Sequence, residues 1–212
     1  MVAIAGAAGL AWGLVADRIA ARWPAHEDGS VRPVDWRTVA VAIGGALALA
    51  LLVNRLGSDL ASLLYVGVVV VLLVLLFATD LDQRLLPDVV TLPLVGYALV
   101  GFVAGIGPFV TTPGDLLWAA IAGIALPAAL LVISIPFGAG AIGIGDLKLL
   151  LGVGLLVGAT RIVATVVLGA LAAAVAIVIL LVARRITLKS YVPYGPFLIA
   201  AALWAMLATR PG

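Results

Sequence analysis

Apolar and polar positions alternate along this chain in blocks rather than residue by residue. Uninterrupted apolar runs cover residues 2–16, 39–53, 60–79, 89–106, 116–135, 147–159, 162–183 and 196–209, with short polar stretches between them. A bilayer core is crossed by about 20 apolar helical residues, with roughly 17–25 the usual range. The spacing therefore predicts an all-α polytopic bundle of about eight membrane segments. The third, fifth and seventh runs reach that length unaided. The first, second, sixth and eighth are short, so their ends must draw on interfacial residues or dip only partway. No basic residue precedes the first run, which is expected to be a retained membrane helix rather than a secretory signal.

Composition agrees with a bilayer as the main partner. Hydrophobic residues make up 65% of the 212, charged residues 10%, and the mean hydropathy is +1.32. A soluble domain carries about 25% charged residues. The net charge of +2 is no argument for nucleic acid, since basic residues in such a chain act as topology signals. Cysteine is absent, which excludes disulfides and thiolate-built zinc sites. His26 stands alone in a polar loop and reads as solvated surface rather than a metal ligand. No metal and no cofactor are expected.

Lysine and arginine set an orientation. With the N-terminus outside, the inner loops hold Arg18, Arg22, Arg32, Arg37, Arg84, Lys148, Arg184, Arg185 and Lys189. The outer side holds Arg55, Arg161 and Arg210. Nine against three favours N-out with eight segments, because basic residues stay on the cytoplasmic side. The expected organisation is two N-terminal helices joined by a short loop over residues 1–58, then a six-helix unit over 59–212.

Two polar stretches then fall on the cytoplasmic side. In "LLFATDLDQRLLPDVVTLPL", residues 75–94, twenty uncharged residues separate Asp59 from Asp80, a rise of about 30 Å in a helix. Asp80 thus sits at the inner mouth of the third helix, where the macrodipole disfavours a negative charge. Pro87 stops the helix and biases Leu86 toward an extended conformation. Asp88 is placed to N-cap the fourth helix, and Asp82 with Arg84 reads as a solvated pair. The second stretch, "GAGAIGIGDLKLLLG", has glycine at 138, 140, 143 and 145. A phosphate-binding loop requires Gly-Lys followed by Ser or Thr. Here Gly145 is followed by Asp146, which repels phosphate. Beyond a flexible hairpin, glycine offers strained dihedrals and close backbone approach, which suits an extended peptide lying against the loop. The short sixth run draws Asp146 and Lys148 toward membrane depth, where ionisable groups are functional candidates; Lys148 is equally placed to snorkel outward.

Asp80 and Asp146 are 66 residues apart yet expected at one membrane boundary. Two carboxyl groups brought together cannot both ionise readily, so they hold one proton between them. One member then deprotonates a water while the other donates to a peptide carbonyl, the aspartic-protease arrangement. Asp146 begins a helix, where the dipole favours its anion, and Asp80 ends one, where it favours the acid. No serine–histidine or cysteine–histidine set competes.

These residues resemble the type IV prepilin peptidases. "TDLDQRLLPDVVTLPL" is similar to that family's first active-site motif, "GIGDLKLL" to its second, Gly-x-Gly-Asp-x-Lys, and "VPYGPFL", Val192 to Leu198, to its last-helix signature. The resemblance implies an integral-membrane aspartic endopeptidase that removes short basic leader peptides from type IV prepilins or type II secretion pseudopilins. It also implies a bacterial inner-membrane location with the site facing the cytoplasm. Asp80 and Asp146 are the catalytic pair by motif position. Gly143, Gly145, Lys148, Asp82, Pro87 and Asp88 are the supporting or substrate-contact candidates, with Asp82 and Asp88 able to furnish an acidic mouth for a basic leader. Many members carry a zinc-stapled domain between the first two helices, associated with N-methylation. Here that interval, Asp17 to Thr38, contains no cysteine, and the sequence shows no recognisable methyl-donor site. Two rival functions share part of the pattern. A presenilin-like intramembrane protease has Gly-x-Gly-Asp but pairs it with Tyr-Asp and Pro-Ala-Leu, where this chain has Thr79-Asp80 and Pro-Tyr-Gly-Pro. A small proton- or cation-coupled transporter would use broken helices near the bilayer midplane, whereas both acids here map to its boundary.

Overall fold

The computed structural model describes residues 1–25, 29–137, 143–187 and 194–208. Among the described residues the regular structure is entirely helical: α1 (Val2–Ala20), α2 (Trp36–Leu56), α3 (Leu60–Gln83), α4 (Asp88–Ala104), α5 (Pro113–Ser134), α6 (Ile144–Val157), α7 (Ala159–Val182) and α8 (Gly195–Leu207). A single 3₁₀ turn, Ile135–Phe137, follows α5. Each helix overlies one of the eight apolar runs. Helices α1, α2, α3, α5 and α7 are long and apolar enough to cross a membrane, and α4 and α8 are shorter apolar helices. Helix α6, with 14 residues, rises about 21 Å. His26, Gly138, Gly140, Lys189, Val192, Pro193 and Arg210, all used in the sequence analysis, lie outside the described residues.

Local chemistry explains the helix starts. Asp35 caps α2 by accepting the Arg37 backbone N–H at 2.9 Å, and Thr38 returns a contact to the Asp35 N–H at 3.4 Å. Asp59 accepts from Ala61 N–H at 3.1 Å and opens α3. Thr112 and Asp115 form a reciprocal capping box on α5, with Pro113 as its first residue. Such caps satisfy N–H groups that have no partner within the helix.

Helix α3 is the axis of the bundle. Val66, Val69, Val70, Leu73 and Leu76 on it are wholly buried, and it packs on α1, α2, α4 and α8. Helices α1 and α2 approach closely through small residues: a Cβ on Gly13 would lie 2.7 Å from the Ala42 Cα. That is how membrane helices associate where no water is available to drive them together. Trp12 crosses to α3, its indole N–H donating to the Val71 carbonyl at 3.1 Å. Large apolar side chains such as Val103, Val182 and Val89 cover the outside, as an integral membrane protein requires.

Chain direction alternates from helix to helix. At one end, Gln83 of α3 donates to the Pro24 carbonyl beyond α1 at 2.7 Å. There too Arg37 of α2 reaches Asp82 at 3.0 Å, and Lys148 of α6 pairs with Asp88 of α4 at 2.6 Å. At the other end the Arg161 guanidinium, in the first turn of α7, lies over the Phe109 ring at 5.0 Å from its centroid. The end of α3 and the starts of α4 and α6 are thereby gathered at a single end of the molecule.

Candidate active site

The last turn of α3 carries Asp80, 5% exposed. Its backbone carbonyl accepts the Arg84 N–H at 2.9 Å. Arg84 ends the helix in the left-handed region, φ 56°, which turns the chain sharply into the Leu85–Pro87 segment. Among the described residues, Asp80 Oδ2 is buried without a hydrogen-bond partner. A buried polar atom left in that state is costly, and in native proteins it calls for an explanation.

Asp146 lies in the first turn of α6, whose N-cap is Gly143. A Cβ built on Gly143 would lie 3.2 Å from Asp146 Oδ2, so this acid folds back over the turn that precedes it. Gly143 itself has φ −68°, a conformation open to any residue, so the strained dihedral expected here is not present at this glycine. Gly145 does make the expected close approach, but to the chain itself: a Cβ there would meet the Leu86 Cβ at 2.8 Å. The segment after α3 thus packs directly on the start of α6, and it carries Asp80 toward Asp146.

The two acids meet at a third element. A methyl carbon built on Gly195, the first residue of α8, would lie 2.8 Å from the Asp80 carboxyl carbon and 3.0 Å from Asp146 Oδ1, with Asp80 Oδ2 nearer still. Both carboxyl groups therefore border one point in space. They open onto a cleft of about 630 Å³ whose lining includes Arg84, Leu86, Pro87, Asp88, Gly143, Gly145, Lys148 and Tyr194.

Other candidates sit differently from their sequence-based placement. Asp82 is not part of a solvated pair. Its side chain is 1% exposed and is ion-paired to Arg32 at 2.6 Å and Arg37 at 3.0 Å, on the side of α3 facing α1 and α2. It does not line the cleft. Asp88 does not cap α4: Pro87, with ψ 132°, occupies that position. Proline lacks the N–H that would continue a helix and its fixed φ suits the start, so the helix begins immediately after it. The Asp88 carboxylate instead pairs with Lys148 across the cleft mouth. Lys148 is thus tied to a neighbouring helix rather than extended toward headgroups.

Sequence reasoning did not single out Gly195 or Tyr194. Their only signal was "VPYGPFL", of which Tyr194 to Leu198 are described. Tyr194 is anchored by its hydroxyl donating to the Val166 carbonyl at 3.2 Å, which fixes the start of α8 against α7.

With this geometry in view, likeness to known proteins takes on meaning. No solved structure matches the chain. It is 31% identical over 129 residues to the prepilin leader peptidase/N-methyltransferase of Stutzerimonas stutzeri, an alignment taking in 60% of this chain and 44% of that protein. The match therefore spans less than half the length of that relative. Residues 67–178, which carry Asp80, Asp146 and the elements that hold them, match the type IV leader peptidase family, and the chain belongs to that family.

Proposed function

We propose that this protein is a membrane-embedded aspartic endopeptidase that removes the basic leader peptide from type IV prepilins or type II secretion pseudopilins at the cytoplasmic face. The observation that carries the reading is the convergence of the Asp80 and Asp146 carboxyl groups on Gly195, in a chain of this family. A scissile peptide enters the cleft where the end of α3 and the starts of α4, α6 and α8 meet. One carboxylate takes a proton from a water as its oxygen attacks the peptide carbonyl carbon. The other, protonated, donates to the carbonyl oxygen. Collapse of the tetrahedral intermediate breaks the C–N bond, and the first acid passes its proton to the leaving amine. By the sequence count, nine of the twelve basic residues fall in the loops expected inside, which supports a cytoplasmic placement.

Purified protein in detergent, mixed with a prepilin carrying its leader, should convert it to a smaller product on a gel. Asp80→Asn and Asp146→Asn should each lower the rate by about 10²–10⁴-fold, the span that a positioned acid or base supplies, with folded protein retained. Near-normal turnover by either variant rejects the assignment. Cleavage inside a transmembrane span rather than after the leader points to a presenilin-like activity instead.

A further inference from the structure

We propose that Gly195 is a positioning residue for the two aspartates: the absence of a side chain there holds open the gap between their carboxyl groups. The inference rests on the reading of Asp80 and Asp146 given above. Gly195 lies outside residues 67–178 that match the family and within "VPYGPFL"; what singles it out is its contact with both acids. It is the first residue of a helix and has none of the left-handed geometry that marks Gly29, Gly105 and Gly158, so backbone freedom is not what the position demands. Space is. Any Cβ would overlap the Asp80 carboxyl group, 2.8 Å from its carbon, and press on Asp146 Oδ1 at 3.0 Å.

Neither side can easily give way. Helix α8 is held behind Gly195 by Tyr194 on Val166 and by the wholly or almost wholly buried Leu198, Ile199, Ala202 and Met206. Asp80 is buried on α3, and the Asp146 carboxyl is backed by Gly143, where a Cβ would lie 3.2 Å from its Oδ2. An added methyl is therefore absorbed by displacing the carboxyl groups. A misplacement of about 1 Å is enough to cost roughly 10²-fold in rate. Gly169 supplies a comparison. A Cβ there meets the Leu198 Cα at 3.2 Å and the Tyr194 hydroxyl at 3.3 Å, so it is tight against the same helix and away from both acids.

Two readouts test the proposal. In steady-state cleavage of a prepilin, Gly195→Ala should lower kcat about 100-fold while KM stays within about threefold, because leader binding does not use the displaced atoms. Thermal unfolding should show coupling: Gly195→Ala lowers Tm in the wild-type background, and much less in Asp80→Ala or Asp146→Ala, where the opposing atoms are gone. Gly169→Ala should lower Tm equally in all three backgrounds. If Gly195→Ala fails to fold in the wild-type background, folding restored by Asp80→Ala supports the proposal and folding not restored overturns it. A wild-type kcat, or an equal Tm drop in every background, also overturns it. Should Asp80→Asn and Asp146→Asn keep cleaving, the catalytic reading fails, yet the unfolding cycle still reports whether Gly195 is the spacer.

Discussion

Arg32 is the residue whose loss should destabilise this protein most among its charged side chains. It sits in the α1–α2 connection with its side chain 8% exposed, paired to Asp17 and lying 2.6 Å from Asp35 and 2.6 Å from Asp82. Asp17 also accepts from Arg18 and, at 2.8 Å, from the Thr38 hydroxyl. Replacing Arg32 by methionine fills the volume but leaves Asp17 and Asp82, each with a side chain 1% exposed, short of a cation. Removing one partner of a buried ion pair costs about 3–5 kcal/mol. Asp17 keeps Arg18 and Asp82 keeps Arg37, which places the expected loss at the lower end, about 3 kcal/mol. For a chain of this size each kcal/mol lowers Tm by about 2–4 °C, so Arg32→Met should unfold roughly 6–12 °C below wild type in the same detergent. Tryptophan fluorescence on heating reads this directly. Arg32→Lys should recover only part of the loss, since an ammonium cannot fork across several carboxylates. Adding 0.5 M salt should change the difference little, because buried pairs are poorly screened. A Tm drop under 2 °C, or one that disappears in salt, refutes the view of this cluster as a buried clamp.

The remaining predictions concern the rim of the cleft. Gly145→Ala forces a methyl to 2.8 Å from the Leu86 Cβ and should cost about 1–3 kcal/mol as an overpacked site. Leu86→Ala removes only the outer part of that side chain, so the double variant should regain some stability but not all, and full additivity of the two losses in unfolding experiments speaks against the contact. The Lys148–Asp88 pair has side chains 30% and 58% exposed, so a double-mutant cycle with Lys148→Met and Asp88→Asn should give a coupling of at most about 1 kcal/mol; a larger value means the pair is desolvated by something beyond the protein itself.

How much of this was legible in the sequence depends on the kind of force involved. The eight helices of the described residues were readable because apolar runs bounded by polar residues in so hydrophobic a chain have few alternatives to helix. Even the short sixth run was placed within a few residues, its helix starting at Ile144 rather than 147 because Gly143 caps it and Asp146 lies inside the first turn. Asp80 and Asp146 stood out because a carboxylate beside an apolar run is expensive. The burial of Asp82 was not readable: nothing in "TDLDQR" says that Arg32, 50 residues earlier, folds back to meet it. Asp88 fits the pattern of a helix cap, and only the tertiary pairing with Lys148 shows where its charge goes. Gly195 was legible only as part of "VPYGPFL", and nothing in that stretch says that its missing side chain borders two carboxyl groups.

The placement of Asp80 and Asp82 also explains why acids crowd this boundary. Two residues along a helix turn the side chain by about 200°, so acids at adjacent odd or even positions face nearly opposite ways. Asp80 faces α6 and α8, where Gly195 and Asp146 lie. Asp82 faces α1 and α2, where Arg32 and Arg37 lie. The acidic mouth expected of Asp82 and Asp88 would need Asp82 on the cleft side, and with Asp80 facing the cleft the helix turns Asp82 away from it. The last turn of α3 instead does two things at once: one acid enters the site, and the other fastens that turn to the N-terminal helix pair, with Gln83 adding hydrogen bonds to the Ala20 and Pro24 carbonyls. The basic residues of the first loop, which read as topology signals, are therefore also the counter-charges that hold the site-bearing helix in register. It follows that Arg32→Met should slow prepilin cleavage at temperatures where the protein remains folded, through loosening of Asp80 one half-turn away. An Arg32→Met protein with wild-type kcat below its Tm would separate the clamp from the site and confine its role to stability.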